Sequence, residues 1–145
     1  MEIEQTRVAV EFCMTIEDNG QLEETKAEAT GVLYKKGQMD VLTYNEHTED
    51  NDIIKNLLTI QPEKVSIKRT GPVQMHQQLR LKQPSENLFH HAHGTIHMET
   101  FTDRINYQPL STTSQGKLAI DYHVRLNGQQ IARKHQLTLT LKEEE

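Results

Sequence analysis

Apolar and polar residues alternate with a period of two along most of this chain. Val8, Val10, Phe12, Met14 and Ile16 share one phase, with Arg7, Glu11, Cys13 and Thr15 on the other. Val73, Met75, Leu79 and Leu81 alternate with Gln74, His76, Gln78, Arg80 and Lys82. The pattern returns in Leu118, Ile120, Tyr122, Val124 and Leu126, and again in Leu137, Leu139 and Leu141. A strand sends successive side chains to opposite faces, so each stretch predicts an antiparallel strand with one dry face and one wet one. Residues 52–60 (DIIKNLLTI) carry apolar residues on both phases and predict a strand buried on both sides.

The punctuation agrees with strands. Asn19-Gly20 and Asn127-Gly128 are hairpin dipeptides, because both residues tolerate the positive φ of a two-residue turn. Lys36-Gly37, Gln61-Pro62, Thr70-Gly71-Pro72 and Gln83-Pro84 mark further reversals, and the polar stretches 47–52 and 111–116 predict loops. No helical stripe competes. The expectation is one all-β domain over residues 1–142, an antiparallel meander of roughly eight to ten strands closed into a barrel so that no edge is left open. Residues 143–145, all glutamate, predict a solvated acidic tail.

Composition narrows the function classes. Hydrophobic residues make up 34% and Trp is absent, which predicts a thin core. The net charge is −5, and the first 72 residues hold 14 acids against 8 Lys and Arg. No basic stripe is visible along the chain, so neither nucleic acid nor an anionic membrane surface is an expected partner. Cys13 is the single cysteine and so forms no internal disulfide. Together with a polar start lacking an apolar run, it predicts a cytoplasmic protein.

Three inward-phase positions are polar. Glu46 is in register with Leu42 and Tyr44, Arg69 with Val65 and Ile67, and Gln77 with Met75 and Leu79. A charge facing a barrel interior needs a partner or access to water. Glu46 and Arg69 are therefore expected to meet, beside the hydroxyls of Tyr44 and Tyr122. These four residues are either the polar anchors of a ligand cavity or a structural ion pair at the rim.

Four of the eight histidines, His90, His91, His93 and His97, fall within residues 89–98. On a straight strand His91 and His93 point the same way, about 6.5–7 Å apart. That is the start of a zinc or nickel site still short of a third ligand. A hairpin centred on His93-Gly94 would instead oppose His90 to His97, whose face Glu99 shares. No nucleophile emerges. Cys13 points away from the apolar face, and Ser85, Ser111 and Ser114 lie in loops without an elbow motif. No Gly-rich phosphate loop or zinc cysteine pair is present, so no cofactor is expected and binding is favoured over catalysis.

Four blocks carry a resemblance: GVLYKKGQMDVLTYNE (31–46), VSIKRTGPVQMHQQLRL (65–81), HGTIHMET (93–100) and LAIDYHVRLNGQ (118–129). Their order and spacing resemble the YwiB-like family of Gram-positive bacteria. The most specific piece is Arg69-Thr70-Gly71-Pro72-Val73-Gln74-Met75, with Tyr44 and Glu46 as a second match. The resemblance implies a calycin-like antiparallel barrel, akin in shape to lipocalins and fatty-acid-binding proteins, and it implies no activity. His91, Ala92 and His93 depart from the family pattern, so the histidine cluster is no family signature. The leading expectation is a barrel that binds a small, partly apolar ligand. The alternatives are a barrel filled by its own side chains that acts as an interaction module or homodimer, and a histidine metal site.

Overall fold

The computed structural model describes residues 4–111 and 114–144. It contains ten strands: β1 (Glu4–Asp18), β2 (Gln21–Lys36), β3 (Met39–His47), β4 (Ile53–Ile60), β5 (Lys64–Thr70), β6 (Gln74–Arg80), β7 (Pro84–His91), β8 (Gly94–Gln108), β9 (Gly116–Leu126) and β10 (Arg133–Glu143). Each strand pairs antiparallel with the next, and β10 returns to β1, closing the barrel as an all-β meander. Asn19 and Asn127 both take φ of 52°, as the Asn-Gly turns require.

Odd-to-even connections (β1–β2, β3–β4 and so on) gather at one end, called here the mouth. Even-to-odd connections gather at the other, the closed end. Inward positions at the closed end are occupied by Val8, Leu33, Leu42, Leu58, Val65, Leu79, Leu118 and Leu139, each at most 2% exposed. Water does not reach these side chains, so this part of the barrel is solid. Leu110 plugs the closed end by lying on Gly116, where an added Cβ would come within 3.0 Å of the Leu110 nitrogen. Lys35 Nζ donates to the Leu110 carbonyl at 3.3 Å, and Tyr107 donates to Asp40 at 2.6 Å beneath it. The last strand reaches Glu143, opposite Val8, and the Glu144 N–H donates to the Arg7 carbonyl. Pairing thus continues into the stretch expected to be tail, and Glu145 lies outside the described residues, as do Thr112 and Thr113 of the 111–116 loop.

Two expectations are corrected. The 53–60 strand is buried on one side only. Ile54, Asn56, Leu58 and Ile60 face inward, while Ile53 and Leu57 are exposed on the outer face. The β7–β8 hairpin turns at Ala92 and His93, so His90 faces Thr95, and His97 faces Leu88.

Pairing is uneven around the barrel. β2 meets β3 only from Gly31 to Lys36, so residues 21–30 pair with β1 alone and the β1–β2 hairpin rises past the mouth. β6 and β7 share register at only two positions, Gln74 with His90 and Met75 with Phe89. Below that point side chains bridge the seam: Ser85 Oγ donates to the Gln78 carbonyl, and Gln77 Nε2 donates to Thr100 Oγ1.

Candidate functional site

The inward positions nearest the mouth differ in kind from those below. Phe12, Met14, Met75, Met98 and Leu126 are half-buried and pack on the edge of the core cluster. Among them stand the inward polar residues. Glu46 and Arg69 meet as expected, with Arg69 Nη2 at 3.2 Å from Oε1 and 3.3 Å from Oε2 of Glu46. Their side chains are 36% and 25% exposed, so the pair sits where water still screens it. A third member, Asn56, donates from Nδ2 to Glu46 Oε1 at 2.8 Å. The register explains the meeting, because Glu46 faces Ile54 across β3–β4 and Asn56 faces Arg69 across β4–β5. Only Nη2 of Arg69 is engaged. Its remaining guanidinium donors have no acceptor among the described residues.

Gly71, in the turn after Arg69, has φ of +128°, and a Cβ there would lie 2.5 Å from the Ile53 carbonyl. Only glycine fits this backbone, and the turn it makes sets the approach of β5 to β4 beside Arg69.

Tyr44 lies beneath the pair, buried, on the same strand as Glu46. Burial pushes its phenol up to about 12, Glu46 adds to the rise, and Arg69 opposes it. It therefore stays a protonated donor at any ordinary pH. Tyr122 makes no hydrogen bond to the ion pair among the described residues. It is buried, which raises its pKa, and its hydroxyl donates to Met14 Sδ, at 3.8 Å. His135 stands directly opposite it across β9–β10, with ring centroids 5.0 Å apart. His135 is half-buried as a residue, yet both ring nitrogens are sealed from solvent and have no hydrogen-bond partner among the described residues. Desolvation, with Arg133 assisting, holds its imidazole down at about 4, so it is neutral at physiological pH.

The histidine cluster divides. His91 points into the mouth side with its ring 5.5 Å from Phe89 and 6.0 Å from His93, and the His93 N–H donates to His91 Nδ1. No third ligand joins these two among the described residues. His90 bonds Thr95 on the outside. His97 lies on the outer face with Glu86 and Glu99, where one ligand atom from each falls within 4.8 Å of the others. All three are solvent-accessible side chains on neighbouring strands. Cys13 is half-buried on the outer face, opposite Lys26 and Thr138.

Sequence periodicity points to Glu46, Arg69 and Tyr44, and it misses Asn56. The signal was present, since Asn56 shares the phase of Ile54 and Leu58, but the apolar Ile53 and Leu57 on the other phase obscure it. His135 keeps the phase of Leu137, but its place opposite Tyr122 emerges only from the β9–β10 register.

Comparison with known proteins gives three matches. The family model described as "Domain of unknown function (DUF1934)" matches residues 10–139. A protein of Bacillus subtilis (strain 168), described as the uncharacterized beta-barrel protein YwiB, is 24% identical over 137 residues, covering 94% of each chain. The crystal structure of that ywiB protein superposes with a TM-score of 0.84 at 22% identity, covering 97% of this chain and 94% of that one.

Proposed function

From a chain that belongs to the DUF1934 family, a family of unknown function, we propose that it binds a small, partly apolar molecule across the barrel mouth. The observation that carries this reading is the inward Arg69–Glu46–Asn56 network standing above a half-buried ring of Phe12, Met14, Met75 and Met98. The unused N–H groups of Arg69 offer donors to a carboxylate, carbonyl or hydroxyl on the ligand. Glu46, itself held by Asn56, anchors Nη2 while they do so. Methionine surrounds the site with a polarisable surface that conforms to different shapes. The solid closed end sets the depth, so the ligand lies at the mouth and does not thread the barrel. The single cysteine, unpaired, suits the reducing compartment of a cytoplasmic protein.

Methyl-labelled methionine tests the reading, because Met39 lies on the outer face near the closed end and serves as an internal control. Titration with a panel of small amphiphilic acids and amides is expected to shift the Met14, Met75 and Met98 methyl signals, and not that of Met39. Arg69→Met is expected to remove the response to the acids. Shifts at all methionines alike, or at none, would count against the site.

A second reading has its own support. Residues 21–30 of β2 present a free strand edge, and exposed edges pair with other strands. A two-fold through Thr25 would set Glu24 of each copy against Lys26 of the other, with no like charges opposed. On this reading the chain is a homodimer, and light scattering at high concentration would show twice the chain mass, returning to the monomer in Lys26→Glu.

A further inference from the structure

The outward positions of β3, β4, β5 and β6 carry Lys55, Lys64, Lys68 and Arg80 and none of the chain's 21 Asp and Glu residues. In a chain of net charge −5, β4, β5 and β6 thus present an outer face of one sign, and β3 beside them adds no acid. None of these four cations meets a carboxylate among the described residues. Lys64 and Arg80 are directly opposite each other in the β5–β6 register. Like charges in that position repel; Arg80 Nη2 donates to Gln78 Oε1 at 2.6 Å, which leaves its other guanidinium donors, with the Lys64 ammonium, for an anion.

Space for one lies beside them. The β2–β3, β4–β5 and β6–β7 turns surround an open groove of about 580 Å³ at the closed end. Lys64, Arg80 and the side chains of Gln38, Gln61 and Gln83 line it, with Glu63 as its one acid. Glu63 forms no ion pair with Lys64 among the described residues, so the lysine charge is not neutralised. The wall is fixed in place: Leu81 N–H donates to the Glu63 carbonyl, and Lys82 N–H to the Thr102 carbonyl. Lys82 holds φ of 61°, and the other described non-glycine residues with positive φ are all asparagine. A lysine kept in that region costs free energy that the surrounding structure must repay.

We infer that this groove is an anion site for a small phosphoryl-bearing ligand. A phosphoryl dianion would lie between Lys64 and Arg80, and the glutamine amides would take the hydroxyl or carbonyl groups of the remainder. The site stands at the opposite end of the barrel from the mouth and is independent of it. A phosphorylated metabolite and the headgroup of phosphatidic acid share this chemistry.

The test is a titration of the full chain with inorganic phosphate and with pyrophosphate at constant ionic strength, following the glutamine side-chain amide signals. A separate arm measures co-flotation with phosphatidic acid vesicles. Saturable shifts at Gln38, Gln61 and Gln83 are expected. Lys64→Gln and Arg80→Gln should each weaken binding about tenfold, as loss of a charged hydrogen-bond donor does, and Glu63→Gln should tighten it. Lys55→Gln, on the same face but away from the groove, should leave it unchanged. Saturable binding of the soluble anions assigns a metabolite, and vesicle binding alone, lost in Lys64→Gln, assigns the headgroup. Shifts that never saturate and respond equally to Lys55→Gln would overturn the site, as would the absence of any response in both arms.

Discussion

The closed end and the mouth are built from the same ten strands, yet their inward residues differ. At the closed end Leu, Ile and Val fill the interior; Tyr107 is tied to Asp40 and Lys35 to the Leu110 carbonyl, while the buried Thr102 Oγ1 is left without a partner among the described residues. At the mouth methionines and Phe12 are half-buried, a charged network faces inward, and the Tyr122–His135 pair carries hydrogen-bonding groups with poor partners or none. A barrel that only needed to be stable would continue the first pattern. The second gives up packing and hydrogen bonding where the chain meets solvent, and binding sites are made of such concessions.

Truncation should therefore cost far more below than above. Leu118→Ala or Ile120→Ala should destabilise by about 2–5 kcal/mol, the range for emptying a well-packed site. Met75→Ala should cost about 1 kcal/mol, since its side chain already meets water. Urea denaturation gives both values, and equal costs would erase the distinction.

His135 supplies the next largest effect. Its pKa in the fold is about 4, below the ordinary value of 6.5. Between those limits the unfolded chain holds the proton and the folded chain does not, so stability rises with pH across this window and falls on acidification. The contribution is at most about 3 kcal/mol, complete above pH 6.5 relative to pH 4. His135→Leu should flatten the stability profile between those values. A profile as steep as that of the wild type would place the titration elsewhere.

Gly71→Ala should cost about 1–3 kcal/mol, from the positive φ and the Ile53 carbonyl against the new methyl group. It should also displace Arg69, which a loss of ligand response in the methionine-methyl titration would report. Arg69→Met should have the smallest effect on stability, within about 1 kcal/mol, because the ion pair is half-solvated and Asn56 remains on Glu46. A small stability change beside a large binding change would separate an anchor from a structural strut.

The fold was legible where one strand face is buried and the other is wet. β1, β9 and β10 announce themselves by strict alternation, and the two Asn-Gly turns adopt the conformation their chemistry favours. β2 escapes that logic because its first ten residues lie beyond the barrel wall, leave the core, and are mostly exposed on both faces. β8 hides its phase behind the bulge between Thr102 and Arg104, which reverses the alternation midway. In the site, Glu46 and Arg69 could be found because each breaks an apolar phase. The cationic face could not, since β4 and β6 give one outward lysine or arginine each, β5 gives two and β3 none, and only cross-strand register assembles them. The dense histidine run proved least informative, because the hairpin sends His91 inward, His90 and His97 outward, and His93 into the turn.

Native mass spectrometry of the protein purified from its own host tests the account most directly. The wild-type chain is expected to carry one small organic adduct per monomer, absent from Arg69→Met and retained in Lys64→Gln. A wild-type chain at its bare mass, with the mouth empty in the cell that makes it, would contradict the claim that the mouth is a binding site.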